Sequence, residues 1–244
     1  MRVFSSRSFA DSFAALAVPT VLTALMLGVP TAASAQVGHR PESSPYEDFK
    51  IGQTVSIMAG WLAVKSDPAG VAPKSTAMGQ LRYDLGIGGP ASLFVRYTLA
   101  PTDRTVLLPS NPRATRVMGT QSATMHLMDL GFDISLTGRK TWHHLMPSLN
   151  SGIGIVSNFA SADTGYYRFG SKFAFTLGGS LRFLPKHGPQ IRVDLTRALW
   201  KYQYPDNYFV KASDTTSVLT NTRQRSAWRN NFGVSAGVSI PVFR

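Results

Sequence analysis

The stretch "NNFGVSAGVSIPVFR" (230–244) decides the fold, because every second residue from Phe232 to Val242 is apolar. The positions between them hold only glycine, serine and proline, and no charge occurs before Arg244. A strand with one face in water normally alternates apolar residues with longer polar ones. The small residues on the second face therefore indicate that this face lines a narrow interior and does not face bulk water.

Seven other segments show the same two-residue period. They are VSIMAGWLA (55–63), QLRYDLGI (80–87), ASLFVRYTL (91–99), HLMDLGFDISLTG (126–138), LMPSLNSGIGI (145–155), KFAFTLGGSLRF (172–183) and QIRVDLTRALW (190–200). Such alternation predicts strands, and short polar connections predict antiparallel neighbours. The sequence thus predicts an all-β chain of eight strands.

The connections between these strands alternate in length. The short ones are 88–90, 138–144 and 185–189, and the long ones are 66–75, 101–120, 160–168 and 204–225. An up-and-down sheet then has four loops at one end, the loop end, and three turns with both termini at the other, the turn end. This asymmetry is typical of bacterial outer-membrane barrels. We predict that residues 49–244 form an eight-stranded antiparallel up-and-down transmembrane β-barrel, whose apolar face meets lipid.

Aromatic residues lie near the ends of the predicted strands. At the loop end they are Trp61, Trp200 and Trp228, and at the turn end they are Trp142, Phe183 and Phe243. Two aromatic levels about one membrane thickness apart are typical of interfacial girdles. The seventh strand is ambiguous after Arg197, because Trp200, Tyr202 and Tyr204 share the parity of its polar face. Either a bulge or a strand that rises clear of the apolar zone explains this pattern.

The first 35 residues have the features of a cleaved export signal. Arg2 and Arg7 precede an apolar stretch (13–30), and "AASA" (32–35) offers the small residues that a signal peptidase accepts. Residues 36–48 are polar and predict a short periplasmic leader before the barrel. These features predict export through the periplasm to the bacterial outer membrane.

The amino-acid composition excludes several classes of function. The chain has no cysteine, so disulfides, thiol chemistry and cysteine-based metal sites are excluded. Its formal charge is +12, but an exported protein does not normally meet nucleic acid. The expected anionic partner is the membrane surface, including the phosphates of lipopolysaccharide.

Two hairpins resemble the small OmpA/OmpX-type outer-membrane β-barrel family. They are "LMDLGFDISLTGRKTWHHLMPSLNSGIGI" (127–155) and "GGSLRFLPKHGPQIRVDL" (178–195), the latter with an inward Arg and an Arg-x-Asp after its turn. The resemblance implies a monomeric barrel that the barrel-assembly machinery inserts. That machinery usually recognises a final Phe, whereas Phe243 is penultimate here. The family implies a location and a fold but no single activity.

Ten charged residues have the parity of the barrel interior. They are Arg82, Asp84, Arg96, Asp129, Asp133, Lys172, Arg182, Arg192, Asp194 and Arg229. Charges buried in a small barrel must pair, and eight strands enclose just enough room for side chains. We therefore predict a structural interior network, with a narrow conduit or polar pocket as the alternative. A wide pore is excluded by geometry.

A lipid A-modifying enzyme is the sharpest alternative function. Such a site would need a histidine beside a serine and a carboxylate at the lipid-exposed rim. His126 is the only histidine on a predicted strand, with Ser122 and Asp129 close in sequence, but Asp129 has the opposite parity. His143 and His144 lack a third metal ligand. We predict no catalytic residue, no metal site and no cofactor.

The long loops carry cations without sequence periodicity. Arg113, Arg116, Arg223 and Arg225 are the predicted lipopolysaccharide contacts, chosen for the forked geometry of the guanidinium group. The sequence thus favours a barrel with a structural, adhesion or surface-binding role. A rim-acting enzyme and a narrow conduit for small solutes remain the alternatives.

Overall fold

The computed structural model of the protein describes residues 44–49, 52–186 and 188–243. Eight long strands dominate it: β2 (Gln53–Ala63), β3 (Thr76–Gly88), β4 (Ala91–Ala100), β7 (Met125–Ser135), β9 (Leu145–Ser157), β10 (Ser171–Phe183), β11 (Gln190–Gln203) and β12 (Ser226–Phe243). Four short strands accompany them: β1 (Tyr46–Asp48), β5 (Asp103–Leu107), β6 (Val117–Ser122) and β8 (Lys140–Trp142). Among the described residues, no helix is long and apolar enough to cross a membrane.

The eight long strands close into a barrel. Each pairs antiparallel with its neighbour along the chain, in the order β2-β3-β4-β7-β9-β10-β11-β12, and β12 returns to pair with β2. At the closing seam Val234 lies opposite Trp61 and Val238 opposite Ile57. Closure leaves no unpaired edge among these strands, as a lipid environment requires. The predicted eight-stranded up-and-down barrel is confirmed.

The alternation seen in the sequence separates lipid-facing from interior side chains. On β12 Phe232 and Ile240 are exposed, whereas Ser235 and Ser239 are buried. Every other long strand likewise exposes apolar side chains on its outer face, so the barrel carries an apolar band around its whole circumference. A band of this extent in water would strongly favour association, and in a bilayer it meets acyl chains. The barrel therefore spans the outer membrane with its strands.

Glycines let the strands of this narrow barrel approach closely. A Cβ built on Gly60 would lie 1.9 Å from the carbonyl oxygen of Val234, and one on Gly131 would lie 2.0 Å from that of Ser151. Any side chain at these two positions would force the neighbouring strand to shift. Gly60 and Gly131 thus permit the strong coiling that eight-strand closure demands.

The turn end is more structured than the sequence predicted. The 138–144 connection contains β8, and the end of the leader forms β1, which pairs with β8 through Tyr46 and Trp142. His143 and His144 turn the chain back with φ of 49° and 64°. The predicted signal peptide (1–35) and residues 36–43 of the predicted leader lie outside the described residues.

The loop end carries elements that the sequence did not predict. Strands β5 and β6 form a separate hairpin within the second long loop. Single 3₁₀ turns occur at Arg113–Thr115, Asp206–Phe209 and Thr222–Arg225. Loops have no period, so elements of this length leave no pattern to detect.

Strand β11 resolves the ambiguity after Arg197. It stays in register with β12 from Gln190 opposite Ser239 to Gln203 opposite Ser226, without a bulge. The strand thus continues upward and points Trp200 and Tyr202 into the barrel, where both are fully buried.

The placement of the aromatic residues corrects one predicted girdle member. Trp200 is wrong as a girdle residue, since a side chain with interior parity cannot reach lipid. The other predicted members with described side chains, Trp61, Trp142, Phe183 and Trp228, are exposed on the outside. Phe243 ends β12, and its side chain lies outside the described set.

Candidate functional site: the barrel interior and the loop end

Six of the predicted interior charges form one buried cluster in the turn-end half of the barrel. This ionic cluster consists of Arg82, Asp84, Asp133, Arg182, Arg192 and Asp194, each at most 3% exposed. Three guanidinium groups face three carboxylates, so the formal charges balance. Every member has interior parity on its strand, and the strand register places the six at one level of the barrel.

Two arginines act as hubs of the ionic cluster. Arg192 donates to Asp194 at 2.6 Å, and to Asp84 and Asp133 at 3.0 Å each. Arg82 contacts the same three carboxylates, at 2.9 Å to Asp84, 2.5 Å to Asp133 and 3.2 Å to Asp194. Each carboxylate thus meets at least two guanidinium groups, and this shared pairing offsets the cost of removing six charges from water.

A separate ion pair, between Arg96 and Asp129, lies nearer the middle of the barrel than the ionic cluster. The Arg96 guanidinium donates two hydrogen bonds to the Asp129 carboxylate, at 3.0 and 2.6 Å. It also donates to the Thr196 hydroxyl, and the Thr176 hydroxyl donates to Asp129. This bidentate geometry leaves Asp129 no free oxygen directed at the lipid-facing surface.

The remaining two predicted interior charges lie apart from both groups. Lys172 is only partly buried at the rim, where its ammonium donates to Gln203 at 3.0 Å. Arg229 is half-buried on β12, opposite Trp200. The structure therefore brings eight of the ten predicted residues into two paired groups and places these two near the mouth of the barrel.

Above the ionic cluster the interior becomes mostly apolar, which the sequence did not predict. Met78, Met125 and Trp200 line a chamber of about 20 Å³ together with Leu, Ala and Val side chains from neighbouring strands. Polar side chains also border the chamber, namely Gln80, Arg96, Thr98 and Thr196. That volume is about the space that one water molecule needs, so the described residues fill the lumen at this level.

An aromatic roof closes the loop end. It consists of Tyr167, Phe169, Trp200, Tyr202, Tyr204 and Tyr208, each at most 5% exposed. The rings of Tyr167, Tyr204 and Tyr208 form a triangle with all three centroid separations at 6.2 Å. Two of the long connecting segments contribute to this roof, so it ties these loops to one another and to β11.

Polar groups anchor the roof from its edges. The Tyr204 hydroxyl donates to Asp67 at 2.7 Å, and the Arg104 guanidinium lies 5.1 Å above the Tyr167 ring while pairing with Asp163 at 2.6 Å. Burial raises the pKa of Tyr167, Tyr204 and Tyr208 well above that of a free tyrosine, and for Tyr204 the negative charge of Asp67 adds to the effect. The three phenols thus remain neutral in the folded protein.

Two long loops form a basic groove of about 590 Å³, the loop groove. Its lining is Arg113, Arg116, Phe209, Lys211, Thr215, Thr216, Ser217, Val218 and Thr220. Arg116 is 7% exposed because its guanidinium donates to backbone and side-chain oxygens of Asn111 and Thr216. Arg116 therefore connects the two loops. The sequence predicted it as an exposed contact for lipopolysaccharide, but its guanidinium group is not freely exposed.

The other predicted loop contacts differ in their surroundings. Arg113 is exposed, and its backbone N–H bonds to Asp214, which holds the pKa of that carboxyl at about 2. Arg223 is exposed on the last 3₁₀ turn, and Arg225 pairs with Asp206. Lys211, which was not among the predicted contacts, joins Arg113 in the groove. The structure thus brings together two of the four predicted arginines.

The histidine considered for catalysis lies on the lipid-facing side of β7. The Nδ1 atom of His126 lies 2.7 Å from the Tyr97 hydroxyl, and its ring packs 5.0 Å from that of Phe159. Ser157 is opposite His126 across the strand pair, but its hydroxyl bonds to Ser171 and the Phe159 N–H. Within the described part of the chain, no group of three His, Asp or Glu residues could hold a metal ion.

The described residues thus form a closed eight-stranded barrel with an apolar exterior, a charged interior and four long loops at one end, which is the architecture of small outer-membrane barrels. No family model matches the chain, and no curated protein does so either.

The chain is similar to a group of solved structures that includes three of outer-membrane proteins. They are Ail, the attachment invasion locus protein of Yersinia pestis, in complex with the heparin analogue sucrose octasulfate (17% identity, TM-score 0.34), the outer membrane enzyme PagL (12%, 0.36), and the backbone structure of Ail in a phospholipid bilayer nanodisc (14%, 0.38). Each comparison covers 78% of this chain and 100% of the other. At these identities and TM-scores the likenesses carry no argument about function.

Proposed function

We propose that the protein is a surface-binding outer-membrane barrel, whose loop groove holds a phosphorylated sugar on the outer face of the membrane. The observation that carries this proposal is the placement of Arg113, Arg116 and Lys211 around one groove. Asp214 offsets one of the three charges, so the groove keeps a positive balance. Anions are therefore the favoured occupants, and the forked guanidinium of Arg113 suits a phosphate.

The rigidity of the loops supports binding there. Arg116 crosses from the second long loop to Thr216 in the fourth, at 2.7 Å between its guanidinium and the threonine hydroxyl. The Arg113 N–H makes a second connection, to Asp214 at 2.7 Å. Since these bonds already fix the groove, a ligand loses less affinity to the ordering of loops.

The filled interior supports a binding role over a conduit. The ionic cluster and the aromatic roof occupy the lumen at two levels, and the chamber between them is about 20 Å³. The contacts of His126 also favour a lipid-rim role over catalysis, because Asp129 faces inward to Arg96 and the Ser157 hydroxyl is engaged elsewhere. We therefore propose a protein without enzymatic activity.

Calorimetric titration tests the groove with a soluble probe, the phosphorylated core oligosaccharide released from lipopolysaccharide by mild acid. The double variant Arg113→Gln/Lys211→Gln should bind at least tenfold more weakly, about 1.4 kcal/mol. The matched control Arg223→Gln/Arg225→Gln removes the same charge outside the groove and should bind nearly as the wild type does.

Three results would overturn the proposal. Equal binding by the wild type and the groove variant would remove the groove as the site. A mass change in lipid A on expression would indicate an enzyme, and discrete conductance steps in planar bilayers would indicate a conduit.

A further inference from the structure

The lipid-facing wall carries two cations at its loop-end half. Arg197 and Lys201 lie on β11 with outward parity, since Thr196, Ala198, Trp200 and Tyr202 between and beside them are buried inside. Arg197 is exposed and Lys201 is half-buried. The remaining outward positions of β11 from Ile191 to Leu199 are all apolar, so these two charges interrupt an otherwise uniform surface.

Aromatic side chains surround the two cations. In the strand register Lys201 lies opposite Trp228, and Arg197 lies between Phe232 on one side and Leu177 on the other. Phe173, Phe175 and Trp228 continue this surface, with ring centroids 4.8 Å apart for the first pair and 6.1 Å for the second. We call Phe173, Phe175, Arg197, Lys201, Trp228 and Phe232 the wall patch.

Neither cation of the wall patch has a partner within the described part of the chain. No ion pair or side-chain hydrogen bond involves Arg197 or Lys201 there, although the interior arginine on the same strand, Arg192, pairs fully. An unpaired Arg or Lys on a lipid-facing barrel surface costs about 2–4 kcal/mol at the bilayer midplane and about 0–1 near the interface. A membrane component that supplies an anion removes this cost.

The height of the patch indicates which anion is available. Trp228 marks the loop-end girdle, and Lys201 lies directly opposite it. Arg197 lies four residues lower on β11, about 13 Å along the strand, and its long side chain can extend toward the same level. The Lys201 ammonium therefore lies at the level of the outer-leaflet headgroups, and the Arg197 guanidinium can reach toward them, beside aromatic rings that suit acyl chains and sugar faces.

We propose that the wall patch binds the phosphorylated headgroup of lipid A in the outer leaflet, with the Arg197 guanidinium and the Lys201 ammonium on phosphate oxygens and the aromatic residues against the glycolipid. This site is separate from the loop groove and does not depend on the function proposed for it. Charge complementarity and the girdle level select this occupant, because the acidic residues that the structure describes lie in the interior, at the turn end or in the loops.

Native mass spectrometry of the refolded full chain in detergent tests the wall patch, with bis-phosphorylated lipid A as the probe. We expect Arg197→Gln/Lys201→Gln to retain at least tenfold less lipid A than the wild type. Arg139→Gln/Lys140→Gln, which removes the same charge at the turn end, is the matched control and should retain the wild-type amount. The heat-dependent gel shift of each variant reports that the barrel has folded.

The alternatives give distinct outcomes. Retention that is equal in the wall variant and the wild type overturns the site, as does an equal loss in the turn-end control. Phosphatidylglycerol that competes as well as lipid A would show a general anion site and overturn the assignment to the glycolipid. The groove variant Arg113→Gln/Lys211→Gln should retain lipid A fully, so failure of the groove and failure of the wall patch are separable.

Discussion

The two halves of the barrel interior are filled by different physical means. The turn-end half holds the ionic cluster, in which hydrogen-bonded charges share partners at distances down to 2.5 Å. The loop-end half holds Met, Ala and the aromatic roof, whose rings pack at centroid separations of about 6 Å. The stability of a buried charge depends on each of its few partners, whereas a buried apolar side chain makes many weak contacts. The ionic half should therefore respond more sharply to a single substitution.

Arg192→Met should give the largest loss of stability. Met preserves much of the side-chain volume but leaves Asp84, Asp133 and Asp194 with two arginines instead of three. Removing one partner from a buried ion group costs about 3–5 kcal/mol. Urea unfolding of the refolded barrel, followed by the gel shift, measures this change.

Arg197→Met is the matched control on the same strand. Its side chain faces outward and has no partner within the described residues, so we expect no loss of stability in detergent free of lipid A. If both variants lost the same free energy, the interior pairing would not be the cause.

Trp200→Ala should give the second largest effect, from the apolar half. The indole is fully buried and borders the existing chamber, so truncation enlarges a cavity. Large-to-small aromatic changes in cores cost about 3–5 kcal/mol, and we expect the lower end because Met78 and Met125 can move into the space.

Trp200→Phe provides the volume control, and the same urea experiment measures both variants. The phenylalanine substitution keeps an apolar ring at this position and should cost less than half as much. Equal losses for the two substitutions would mean that the indole N–H, rather than packing, holds the roof.

The same contrast explains what the sequence could and could not predict. The interior charges follow from parity, because a strand repeats every two residues and Arg82, Arg96 and Arg192 sit on the small face of theirs. Trp200 and Tyr202 obey the same parity, but the aromatic character of Trp200 favoured its assignment to the lipid-facing girdle. Parity was the stronger evidence, since the backbone register of β11 does not break.

The loops lack such a rule. The inward turn of Arg116 and the triangle of tyrosines depend on contacts between segments far apart in the chain, and the short β5–β6 hairpin leaves no periodic pattern. Arg116 and Thr216, for example, are 100 positions apart. The chamber has the same origin, because side chains from several strands meet in its lining. No local pattern encodes these encounters.

Tyr204→Phe should give the smallest effect and should reveal the pH response of the roof. It removes the hydroxyl that donates to Asp67, which keeps its bonds from the Ala69 and Ala72 N–H groups. One such bond contributes about 1–2 kcal/mol near neutral pH. Urea unfolding at pH 8 measures this difference.

Alkaline pH should first reduce and then reverse the difference in unfolding free energy between the wild type and Tyr204→Phe. Because the folded pKa of Tyr204 lies above the unfolded one, its contribution is fully present below pH about 10 and is lost as the pH rises further, at about 1.4 kcal/mol per pH unit. The phenylalanine variant has no hydroxyl to titrate at this position, so it should lose stability less steeply than the wild type above pH about 10. Absorbance at the tyrosinate band during the same titration should show that Tyr167, Tyr204 and Tyr208 ionise together with unfolding and not before it. Parallel stability curves for wild type and variant would show that Tyr204 ionises freely in the folded barrel, and the roof would then be open to solvent.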